Sequence, residues 1–279
     1  MENKKYKLTS ESIEVKGKTL YRIEALKDFG EIKKGDKGGF IESENNLEHE
    51  GDAWVSDYAC VYDNACVFDN ACVCGNARVF GDALVYGIAC VYGCASVSDN
   101  ARVCGNARVY GNALVYGIAC VYGCASVSDN ARVYGNARVF GDALVYDNAS
   151  VSDNASVSRY AQVHGNVCVY GYARVSDNAR VCGNARVYGD TCVCGRTNVC
   201  GDAEISTDAD YIVFKNWWSS GRYFTWTRSN NMWSVGCFYG TGEELIKKAY
   251  KDSSKSGRQY ERIVKYVEET LKEEENGGE

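Results

Sequence analysis

A six-residue period constrains this chain more than any other feature. Valine or isoleucine stands at every sixth position from Val55 to Ile205, 26 times in succession. Two residues before each stands a small residue, alanine throughout except at Val167, Thr191 and Thr197. A typical unit reads Asn106-Ala107-Arg108-Val109-Tyr110-Gly111. The Ala-x-Val-x core alternates with period two, so it reads as a short strand with Ala and Val on one side. The Gly-Asn, Asp-Asn or Gly-Asp that follows tolerates the positive φ of a sharp corner. Strands this short cannot pair within themselves. They stack on the next coil and bury the Ala/Val ladder in one continuous core.

An aliphatic residue followed by a small one four positions later, as in Val55 and Ala59, is similar to the hexapeptide repeat of left-handed parallel β-helices. The stretch GKTLYRIEALKDFGEIKKGDKGGFIESENNLEHEGDAWVSDYA, residues 17–59, looks like the lead-in segment of YdcK-like hexapeptide-repeat proteins. The resemblance covers about residues 17–206, and implies left-handed winding with three hexads in each triangular 18-residue coil. The repeats then make just under nine coils, a rod roughly 40 Å long at the spacing of paired strands. The expected fold is mainly β: a left-handed parallel β-helix over 51–206, an N-terminal β cap over 1–50, and a small C-terminal β+α domain over 207–279.

With an 18-residue coil, outward residues stack in columns. The most aromatic column holds Tyr62, Phe80, Tyr116, Tyr134, Tyr170 and Tyr188, broken by Ser98 and Ser152. A long exposed aromatic strip is a candidate self-association face, so a homo-oligomer, dimer or trimer, is expected. The plainer reading is that stacked rings stabilise the sheet. Residues 69–98 and 99–128 are nearly the same 30-mer. Thirty is not a multiple of 18, so the copies start on different faces. The duplication therefore lengthens a rod and does not repeat a ligand site.

Charge narrows the function classes. The net charge is −6, and no lysine stands between Lys37 and Lys215. Nucleic-acid binding, which needs closely spaced cations, is not expected. No apolar run reaches the roughly 18 residues of a membrane span. The polar start MENKKYKLTS lacks the core of an export signal, and the 15 cysteines fit a reducing cytoplasm with free thiols.

Relatives of this repeat include acyltransferases that use a histidine and a coil-breaking loop. Nothing interrupts the hexads here, and the two histidines are His49 and His164. His49, in the valine register one hexad before Val55, reads as a hydrogen-bonded histidine of the first coil. His164 points outward beside Gln162. Two histidines cannot supply a three-histidine zinc site. No nucleophile–base pair is visible, so no enzyme, cofactor or metal is expected. Cys72, Cys74 and Cys90 cluster, and Cys182 stacks on Cys200; both sets read first as tolerated surface residues. Corner aspartates such as Asp63, Asp99 and Asp153 read as turn formers.

At the start, strands are expected at Tyr6–Leu8, Ser12–Val15 and Leu20–Ala25, followed by a charged loop over 28–37. Past Ile205 the periodicity ends. Strands are expected over 211–218, 223–228 and 232–239, then helices over 242–251 and 257–273. Trp217, Trp218, Trp226 and Trp233, with Arg222, Tyr223 and Arg228, are the candidate binding residues for a peptide, base or sugar. They serve equally as the core of a small lid. The function expected is a non-enzymatic scaffold or interaction rod. The alternatives are a nucleotide- or sugar-binding protein and an acyltransferase.

Overall fold

Each hexad puts two residues into a strand, as at Arg108–Val109, and turns before the next. In the computed structural model, which describes residues 4–276, the coils stack as a parallel β-solenoid with three sheets. Pairing is 18 residues apart throughout the repeats, as in Cys72↔Cys90↔Arg108↔Ser126. The sheets run through Val55 to Val199, Val61 to Ile205 and Val67 to Val193. Every alanine and valine of the inward ladder from Ala53 to Ile205 is at most 1% exposed.

The corners confirm the turn chemistry. Asp63, Asp99 and Asp153 adopt φ of +61°, +56° and +56°, in the left-handed region that otherwise selects glycine. Their carboxylates also accept N–H bonds one coil on, as Asp99 does from Gly117 at 3.0 Å. A second corner carries an amide ladder. Asn112, Asn130, Asn148, Asn166 and Asn184 each donate to the next, and Asn184 ends on Asp202, at 2.8–3.2 Å.

Strands β1 (Tyr6–Val15) and β2 (Lys18–Ala25) form an antiparallel hairpin, with an irregularity between Leu8 and Ser12 where two separate strands were expected. A third strand, β3 (Lys37–Ile41), pairs with β2 and runs parallel to Cys60–Val61. The sequence reading missed β3. It also missed a register change: Ile41 pairs with Val61 and Leu47 bridges Val67, each 20 residues apart. The two extra residues fall between Leu47 and Val55, which stand eight apart where the repeat has six. Leu47, fully buried, therefore occupies the core position expected for His49, which is only partly buried.

After Ile205, the strands Tyr211–Lys215, Tyr223–Thr227, Met232–Val235 and Phe238–Gly240 form an antiparallel sheet. The third expected strand is thus two, joined by Gly236 and Cys237. Gly236 at φ +61° allows the two-residue turn that pairs Val235 with Phe238. Helix α1 (Gly242–Asp252) opens with a capping box between Thr241 and Glu244. Helix α2 (Ser254–Asn276) is longer than expected at both ends. Gly257 lies inside it because the Tyr250 ring of α1 would stand 2.3 Å from a β-carbon there. Among the described residues no helix is long and apolar enough to cross a membrane.

Candidate functional site

Along the sides of the rod, outward rings stack one coil apart. Tyr116 lies on Tyr134, Tyr92 on Tyr110 and Tyr170 on Tyr188, nearly parallel, with centroids 4.9–5.1 Å apart. These separations lie within the range of favourable aromatic pairs. The expected face is shorter than the column, however. Tyr62 is 1% exposed, buried with Leu20, Phe40 and Cys60 under the β1–β2 hairpin. Phe80 lies beneath the Lys16 ammonium, 4.3 Å from its ring centroid. The open remainder is Tyr116/Tyr134 and Tyr170/Tyr188, separated by the small, buried Ser152.

Both ends are sealed. At the first coil the Lys5 side chain, 0% exposed, donates to the carbonyls of Glu50, Gly51 and Ala53 at 2.9–3.3 Å. Burial pulls its ammonium from 10.5 down to about 8, against the opposing fields of Asp52 and Glu48. The Asn46 amide donates to the Asp63 and Ala65 carbonyls. At the last coil, side-chain oxygens receive the open N–H groups. Asp208 takes that of Cys192 (2.9 Å), Thr225 that of Asn198 (2.9 Å) and Ser229 that of Glu204 (2.7 Å). The Tyr211 and Tyr239 hydroxyls donate to the Cys192 and Cys200 carbonyls.

The predicted binding residues do not converge. Trp218, Trp226 and Trp233 are core, packed with Phe224 and Tyr260 against α1 and α2. Trp217 is 72% exposed and meets Trp218 edge-on. The Tyr223 ring is approached by the cations of Arg196 and Lys215, 5.5 and 5.7 Å from its centroid. Arg228 pairs with Glu274 at 2.7 Å. Arg222 alone of the seven borders the concavity of this unit, a cavity of about 420 Å³ between sheet and helices.

The histidines and thiols are equally specific in their placement. His49 accepts the Lys5 backbone N–H at Nδ1 (3.3 Å) and stacks on Tyr6. His164 stacks on Tyr146, and Arg180 Nε donates to its Nε2 at 2.9 Å. The lone pair a general base would use is thus engaged. Burial and the Arg180 charge lower its pKa. The Cys72 thiol donates to Cys74, which holds the Cys74 thiol down at about 7 and pushes Cys72 up. Among the described residues no group of three or more His, Cys, Asp or Glu side chains is placed to hold a metal ion. Cys182 and Cys200 are disulfide-bonded, with Cα atoms 4.6 Å apart, where free thiols were expected. Their equal position one coil apart brings the two sulfurs together.

A family model described as the YdcK β-solenoid repeat matches residues 71–87, 101–117, 107–123, 125–139, 131–147 and 179–195. These coils are YdcK β-solenoid repeats. No curated protein matches the chain at a significant level. The YdcK repeat accounts for the inward Ala/Val ladder and the Asp or Gly corners. The cavity residues lie outside the matched repeats, on the appended sheet and helices.

Proposed function

We propose that the protein is a non-enzymatic, cytoplasmic interaction scaffold, a β-solenoid rod that associates side to side and presents its C-terminal unit to a partner. One observation carries this reading: both ends of an uninterrupted solenoid are closed by the chain itself, by added strands with Lys5 and Asn46 at the first coil and by side chains at the last. A sheet edge that stays open templates end-to-end growth. Closing both edges leaves the sides for contact between copies. On the sides, the Tyr116/Tyr134 and Tyr170/Tyr188 stacks are aromatic surface left uncovered by the hairpin. Thirteen free cysteines support a reducing compartment.

Light scattering coupled to size-exclusion chromatography tests the assembly. A dimer or trimer is expected, and the double variant Tyr134→Lys/Tyr170→Lys is expected to be monomeric with an unchanged circular dichroism spectrum. A native chain that stays monomeric at millimolar concentration sinks the proposal. Acetyl-CoA turnover abolished by His164→Ala would replace the scaffold reading with the acyltransferase one.

A further inference from the structure

The cavity of the C-terminal unit combines an apolar floor with charged side chains at its opening. Val235 and Phe238 of the sheet, Leu245 and Ala249 of α1, and the Tyr260 ring of α2 form the floor. Residues 245, 248, 249 and 252 follow helical spacing, so Lys248 and Asp252 are carried to the same opening as the buried Leu245 and Ala249. Arg222 approaches from the loop after Asn216, with Gly236 leaving room for its guanidinium. Among the described residues neither Arg222 nor Lys248 makes an ion pair.

A buried polar pair lies at the base. Asn216 and Tyr260 are each 6% exposed, and the Asn216 amide donates to the Tyr260 hydroxyl oxygen at 3.1 Å. The amide oxygen of Asn216 is taken by the Ser219 N–H. Tyr260 therefore keeps its own hydroxyl hydrogen to donate. Three donors consequently border one small cavity with an apolar floor: a guanidinium, an ammonium and a buried phenol.

We propose that this cavity binds a small organic oxyanion, a carboxylate or phosphate ester carrying an apolar body. Arg222 and Lys248 hold the oxyanion with charge-assisted bonds. The apolar body covers Val235, Phe238 and Leu245. Asp252 sets the local balance at two cations to one carboxylate, which favours monoanions over polyphosphates. The inference goes beyond the scaffold reading and does not depend on it. A rod that assembles but binds no oxyanion removes this inference alone, and a monomer that binds one removes the other.

Isothermal titration of the full chain with phenylacetate, phenyl phosphate, inorganic phosphate and benzyl alcohol tests it. Saturable binding of phenylacetate or phenyl phosphate is expected, the tighter of the two identifying the source of the oxyanion. Arg222→Gln and Lys248→Gln should each weaken it about tenfold, while Arg228→Gln, outside the cavity, leaves it unchanged. Both side chains are exposed, so the variants should melt with the native protein. Inorganic phosphate binding as tightly as the esters would show the floor unused. Benzyl alcohol binding as tightly as phenylacetate would show the cations unused. Either result, equal weakening by Arg228→Gln, or no saturation below about 10 mM overturns the proposal.

Discussion

The two ends of the rod solve one problem with different chemistry. The first coil is closed mainly by chain: β3 adds a parallel strand to one sheet, and β2 and β1 continue it antiparallel. What the strand cannot reach is met by Lys5 and Asn46, which donate to carbonyls. Among the described residues the last coil has no added strand. Asp208, Thr225, Ser229, Tyr211 and Tyr239 satisfy its backbone singly, by side-chain oxygens. A strand-capped end fails as a unit when its fit is spoiled, whereas a side-chain-capped end loses one bond at a time.

The contrast is sharpest at Gly39. A β-carbon there would stand 2.6 Å from the Ala59 carbonyl oxygen and 2.8 Å from Val55 Cγ1. Gly39→Val should therefore cost about 3 kcal/mol or more and release the whole N-terminal cap. Urea unfolding with hydrogen exchange at Val55, Val61 and Val67 reads this. An intact cap would show that strand addition does not govern this end.

Lys5→Met should cost less, about 2 kcal/mol at neutral pH, by leaving buried carbonyls without a donor. Its pH dependence is the discriminating measurement. Between about pH 8 and 10.5 the unfolded chain holds the Lys5 proton while the folded chain releases it. The unfolded state then binds more protons, so the native protein gains stability as pH rises through that window. Lys5→Met lacks this gain, so its deficit should widen from pH 8 to pH 10. A constant deficit would mean that Lys5 is not desolvated.

Thr225→Val keeps the shape and removes one acceptor at the other end. About 1 kcal/mol is expected, with faster exchange at the Asn198 amide and little change at Cys192 or Glu204. Loss of protection across the whole last coil would erase the distinction between the ends.

Much of the solenoid was legible because its period encodes its geometry directly. Ala107, Val109 and Gly111 specify strand, inside and corner with no reference to distant residues, and each coil contacts chiefly its neighbours. The C-terminal helices were legible from the Thr241/Glu244 box and the Ile263, Val264 and Val267 spacing. The extra hairpin turn could have been read from Gly236-Cys237 between Val235 and Phe238, a two-residue loop with glycine first. The candidate cavity was not legible. Its cations, Arg222 and Lys248, stand 26 residues apart on different elements, and Tyr260 enters from a third.

The sequence by itself determined the inward ladder and the corner conformations, because each hexad specifies them locally, and the three-hexad coil came from its resemblance to hexapeptide-repeat β-helices. The tertiary structure alone decided which aromatic rings stay open, where the 20-residue first coil departs from the repeat, and which tryptophans are core. Those outcomes depend on side chains brought together across long sequence separations, where packing space and unmet hydrogen bonds select the partners and no period records them.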